Sequence, residues 1–109
     1  VTTCGQTCLA MLADVSVNEV CSVMGNDSTT TYEDIIYTLD YYGFRHRLRK
    51  DNPRTLPDIC LFKVQFPEYV HGILYFKGKF YDPKFGVINA CHPDGKIDEN
   101  EFIEVYQES

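Results

Sequence analysis

Residues 4–11 read Cys4-Gly5-Gln6-Thr7-Cys8-Leu9-Ala10-Met11. Cys8, Leu9, Met11 and Leu12 recur at helical spacing, which predicts a helix over residues 5–13. Cys4 then stands at the start of that helix, and Gly5 beside it leaves the thiol unobstructed. The first turn of a helix offers unpaired N–H groups and about half a positive charge. Both favour thiolate over thiol, whereas a free cysteine with a pKa of ~8.5 is only a few per cent ionised at neutral pH. The position suits a nucleophile; the plainer alternative is an ordinary core or surface thiol.

Outward from this helix the first half continues helical. Ser16-Val17-Asn18-Glu19 has the form of a capping box, with Ser16 as N-cap, Glu19 reaching back and the helix stopping at Gly25. Thr30-Thr31-Tyr32-Glu33 repeats that signature, and the stripe Ile35, Ile36, Leu39, Tyr42 runs on to a stop at Gly43. The second half changes period. Residues 44–49, 59–65, 70–76 and 79–81 are short runs rich in β-branched and aromatic residues, punctuated by Pro53, Pro57, Pro67 and Pro83. Lys77-Gly78 reads as the turn of a hairpin, and Asp98 as the N-cap of a short terminal helix. Helices followed by antiparallel strands predict an α+β domain, the N-terminal helices packed on a small antiparallel sheet.

The 109 residues fit one domain, 1–109, and a 44% apolar fraction with 14% aromatics is enough for a core. No apolar run approaches the ~18 residues of a membrane-spanning helix, so no membrane insertion by this segment is expected. A net charge of −6 gives the chain as a whole no attraction to nucleic acid, and no Gly-rich phosphate loop or cofactor motif is present. Residues 1–44 contain no Lys or Arg, while Arg45, Arg47, Arg49 and Arg54 cluster together, most simply as a solvated counterweight to the acidic first half. Five cysteines, Cys4, Cys8, Cys21, Cys60 and Cys91, make an odd count. Cys8, Cys21 and Cys60 lie in apolar stretches and read as buried thiols, which suits the cytoplasm or another reducing compartment. The sequence begins at Val1 rather than Met, and is expected to be a fragment or processed part of a longer chain, delivery from a larger secreted protein included.

A nucleophilic cysteine needs a base, and the base an orienting group. His71 opens the run 70–76, and Asp82 follows the run 79–81. Across a hairpin turning at Lys77-Gly78 these positions are near mirror images, so their side chains share one face within direct or diagonal reach. His46 alternates with Arg45 and Arg47 and reads as solvated. Cys4/Cys8 with Cys91/His92 lack zinc-site spacing. Asp94-Gly95-Lys96-Ile97-Asp98 with Glu101 copies only the second half of a calcium loop, Ala90 and His92 standing where the first acidic ligands belong. No metal is expected.

Cys4-Gly-x-x-Cys-Leu-Ala-Met, the Thr-rich start of a helix ending at Gly43, Leu56-Pro57, His71 opening a strand and Tyr81-Asp82-Pro83, in this order, resemble the papain-like cysteine peptidases. The nearest branch is the one that trims double-glycine leader peptides from bacteriocins, with its uncharacterised relatives. The resemblance spans nearly the whole chain. It implies the papain-like fold, a nucleophile at Cys4, a general base at His71, an orienting acid at Asp82 and a structural Cys8. Family members also carry an oxyanion-stabilising glutamine upstream of the nucleophile, a position before Val1; Gln6 lies on the other side and is not given that role. Gly72 stands where relatives usually place an aromatic residue. The expected function is a thiol hydrolase acting on a peptide or protein substrate. Two other readings stay open: a catalytically silent peptide-binding module, and a secreted toxin or effector (peptidase, deamidase or acyl transferase) held in check by an inhibitor or immunity protein.

Overall fold

The computed structural model describes residues 4–28, 30–51, 55–65, 67, 70–82, 86–88 and 96–106. Among these, three helices come first: α1 (Cys4–Ala13), α2 (Val17–Met24) and α3 (Tyr32–Tyr41). Six strands follow: β1 (Arg45–Arg49), β2 (Ile59–Gln65), β3 (Val70–Phe76), β4 (Lys79–Asp82), β5 (Gly86–Ile88) and β6 (Lys96–Tyr106). They form one antiparallel sheet in the order β1-β6-β2-β3-β4-β5, with the helices against it. The α+β expectation holds.

The local signals act much as their chemistry dictates, with instructive exceptions. Ser16 caps α2 by accepting from the Glu19 N–H at 3.1 Å. The Glu19 carboxylate, however, does not reach back; it accepts from the Tyr42 hydroxyl at 2.6 Å and pushes that phenol up to about 12. Helix α3 starts one residue later than the Thr30 signature suggests. Thr31 is its N-cap, and Asp34 closes the reciprocal box at 3.1 and 3.2 Å. Thr30 is engaged elsewhere, its side chain lying over the backbone of Gly5. A Cβ placed on Gly5 would stand 3.0 Å from Thr30 Cγ2 and 3.1 Å from Thr30 Cβ. Lys77 and Gly78 both have positive φ (47° and 93°), the twist of a two-residue hairpin turn, and join Phe76 to its partner Lys79.

The terminal helix capped by Asp98 is not formed: residues 96–106 are strand β6, which lies between β1 and β2. Phe102, Ile103 and Val105 are 1%, 0% and 3% exposed, and this β-branched and aromatic burial outweighs the helix-start signal of the acidic run. The register against β2 moves from Phe62↔Phe102 to Val64↔Ile97, so the acidic stretch between them is accommodated as extra residues in the ladder.

The sheet buries both faces. Towards the helices, Ile59, Leu61, Leu74, Ile103 and Val105 pack with Leu9, Val20, Ile35 and Leu39. On the other face Cys60, Phe62, Val64, Ile73, Phe80 and Phe102 form a second cluster. Cys8 and Cys60 are buried as expected, but Cys21 is only half-buried because α2 is short and seats just Val20 fully. Cys4, Cys8, Cys21 and Cys60 are free thiols. His46 is not simply solvated: its Nε2 lies 2.6 Å from Asp40 Oδ1, because the turn after α3 folds β1 back beside that helix. Arg49 is held by Asp51 and by Glu104 at 3.2 Å. Pro53, Arg54, Pro83, Ala90, Cys91, His92 and Asp94 lie outside the described residues, so the zinc and calcium readings are untouched by the fold.

The Gly5–Thr30 contact sets a stability test. Gly5→Ala should cost about 1–3 kcal/mol, the range for overpacking, read as a shift in denaturation midpoint at unchanged m-value. Thr30→Ala in the same background should recover part of that loss.

Candidate active site

Strand β3 alternates, so His71 and Ile73 point to one face while Gly72 and Leu74 point to the helices. Its pairing with β4 runs only from Leu74 to Phe76, leaving the β3 edge at Gly72 open on that side. The first turn of α1 takes that edge. Cys4 Sγ accepts from the Gly72 N–H at 3.2 Å, and the Cys8 thiol donates to the Gly72 carbonyl at 3.6 Å. A Cβ on Gly72 would lie 3.7 Å from Cys4 Sγ and 3.8 Å from Gly5 Cα, ordinary van der Waals contact.

His71 reaches the same sulfur from the strand. The register Leu74↔Tyr81 places residues 71 and 82 on a diagonal, two positions apart on one face. There His71 Nε2 and Asp82 Oδ1 meet at 2.5 Å, with the residues 1% and 5% exposed. His71 also shares a hydrogen bond with Cys4. Cys4, His71 and Asp82, the three residues singled out from the sequence, are thus brought together. Cys8 sits one helical turn inside, 1% exposed, its thiol pushed well up by burial.

The electrostatics favour charge on both Cys4 and His71. Burial alone would raise the Cys4 thiol. It is outweighed by hydrogen bonds from His71 and the Gly72 amide and by the imidazolium charge, so the net movement is down from the usual thiol range. His71 moves the opposite way. Its hydrogen bond to Cys4 raises it, burial opposes, and the bond and charge of Asp82 add to the rise. A thiolate–imidazolium pair is the state these opposed movements favour.

The sulfur opens into a cleft of about 280 Å³, lined on the described residues by Gly5, Thr30, Tyr32, Lys63, His71 and Gly72 together with apolar side chains of β2 and α3. Thr30, Tyr32 and Lys63 were not legible as site residues. Lys63 carried one overlooked signal, a cation interrupting the apolar run of β2. Gln6 faces away from this work. It is fully buried, and its Nε2 donates to the carbonyls of Asn26 and Ser28 at 2.9 Å each, tying α1 to the α2–α3 loop.

Comparison with solved structures finds the peptidase domain of Streptococcus ComA, a bi-functional ABC transporter involved in a quorum-sensing pathway. It matches at a TM-score of 0.66 and 17% identity, over 98% of this chain and 93% of that one. The likeness shows that this chain has the α+β fold of a papain-like peptidase domain. No protein-family model matches the sequence, and no curated protein matches it.

The shifted pair has a direct chemical readout. At pH 6, iodoacetamide should alkylate Cys4 at least about tenfold faster than it alkylates glutathione, as a lowered pKa requires. Asp82→Asn removes the charge that supports the imidazolium. The onset of Cys4 reactivity should therefore move to higher pH, followed by mass spectrometry of the labelled peptide.

Proposed function

We propose that the chain is a thiol hydrolase of the papain-like type, cleaving a peptide or other amide bond through an acyl-enzyme on Cys4. The observation that carries this is the buried Asp82–His71 pair hydrogen-bonded to Cys4, which stands at a helix N-terminus in a largely apolar cleft. The fold shared with the ComA peptidase domain, and the sequence resemblance to leader peptidases, favour a peptide substrate.

In this reading the Cys4 thiolate attacks the carbonyl carbon, and the π electrons pass to oxygen. The oxyanion lies near the N-terminal turn of α1, where the Cys4 backbone N–H can donate. His71 gives a ring proton to the amine nitrogen as the C–N bond breaks, leaving a thioester and a neutral imidazole. A water molecule then loses a proton to the same ring nitrogen and attacks the thioester. Collapse releases the acid and restores thiolate and imidazolium. Asp82 holds the ring in the orientation that faces Cys4 and stabilises its charged form.

Cys4→Ala and His71→Ala should each lower kcat by about 10³-fold or more with the circular dichroism spectrum unchanged. Wild-type kcat/KM should be bell-shaped in pH. The acid limb is set by Cys4 below the ordinary thiol range, and the alkaline limb by His71 above the ordinary imidazole range. Undiminished turnover in either alanine variant refutes the assignment.

A further inference from the structure

Among the described residues of the cleft, Lys63 carries a charge that the proposed reaction does not use. It pairs directly with Gly72 across β2 and β3, so it stands one strand away from the backbone that grips the nucleophile. On the same helix-facing row Ile59 and Leu61 are 2% and 3% exposed, and Lys63 is where that row runs out from under the helices into the cleft. Its Nζ rests 4.3 Å from the centroid of the Tyr32 ring. That ring is itself fixed, 8% exposed, with its hydroxyl donating to the Glu101 carbonyl at 3.1 Å. The ammonium is therefore held in place by an aromatic face and by no carboxylate of the described residues. Among the described residues no carboxylate forms an ion pair with it, and none lines the cleft. Arg49, by contrast, is neutralised by Asp51 and Glu104. In a chain of net charge −6 the cleft beside Cys4 carries positive charge against apolar walls, where a charge acts over a longer range than in water.

We propose that Lys63 is a specificity residue that draws a substrate carboxylate into the cleft, supplied either by an Asp or Glu side chain near the scissile bond or by the peptide's own C-terminus. This rests on the thiol-hydrolase reading above. The carboxylate completes an ion pair with the ammonium, while Tyr32 limits the positions it can occupy. A neutral amide of the same shape gains neither.

The test uses a random synthetic peptide mixture, with cleavage products read by mass spectrometry, followed by matched pairs built on the best substrate. One pair carries Glu against Gln at the preferred position, and the other a free against an amidated C-terminus. The wild-type chain should favour the carboxylate member of one pair by roughly tenfold in kcat/KM, the size of one charge-assisted hydrogen bond. The pair that responds identifies the source. Lys63→Arg should keep most of the preference, Lys63→Met should bring the ratio near one, and Lys63→Glu should invert it. Cleavage without carboxylate preference, or a preference untouched by Lys63→Glu, overturns the inference and leaves the hydrolase reading standing. A second readout needs no turnover: protection of Cys4 from iodoacetamide by acidic peptides against their amide counterparts. Lys63-dependent protection without cleavage upholds the carboxylate site and sinks the hydrolase reading; neither protection nor cleavage sinks both.

Discussion

The seat of α1 on Gly72 is the contact from which the site follows. A strand edge left open by its neighbour has an N–H and a carbonyl to satisfy. At residue 72 of β3 that need is met by two thiols one helical turn apart. Cys4 accepts, Cys8 donates, and the spacing of the helix matches the spacing of the peptide unit. The seat also needs Gly5, where a Cβ would press on the Thr30 side chain. Cys4 is thereby located by main-chain geometry, before any interaction with His71 is counted.

The charges then stabilise one another in order. Asp82 and His71 are both almost wholly buried, and a buried charge is costly unless it is paired. The carboxylate favours a protonated ring, and the protonated ring favours a thiolate. At Cys4 burial pulls the other way, and it is outweighed by hydrogen bonds from His71 and from the Gly72 and Gly5 backbone together with the charge of His71. At Cys8, one turn deeper, burial dominates and the thiol stays protonated, as a donor to Gly72 requires. Two cysteines on one helix face thus take opposite roles through a difference in depth.

Much of this was legible because it is local. The runs 59–65 and 70–76 became β2 and β3 with the same bounds, since period-two patterning and the Lys77-Gly78 turn leave little freedom in register. The diagonal between His71 and Asp82 follows from that register alone. What escaped is set by distant partners. Residues 96–106 carry a helix-start signal, yet they become a strand between β1 and β2 because Phe102, Ile103 and Val105 fill cores built by other segments. Thr30 loses its capping role to Thr31 because it packs on Gly5, across a loop that sequence spacing does not reveal. Glu19 finds Tyr42 instead of its own N-cap for the same reason. Short-range hydrogen-bond preferences are worth about 1 kcal/mol, and tertiary burial readily outweighs them.

That same loop decides how rigid the cleft is. Residues 26–28, 30 and 31 bury little apolar surface of their own and are held by polar anchors. Asn26 accepts from the Ser28 N–H and hydroxyl at 2.8 Å each and donates to Asp34 at 3.5 Å, while the buried Gln6 amide donates to the carbonyls on either side. Gln6 lies in the turn of α1 that also carries Cys4, and Asp34 lies in the first turn of α3 beside Tyr32. The wall that bears Thr30 is consequently tied at one end to the nucleophile's helix and at the other to the helix that steadies Lys63. Sulfur, cleft wall and cation are held by one connected set of hydrogen bonds and packing contacts. A displacement of α1 would therefore carry Cys4 and the Thr30 wall together.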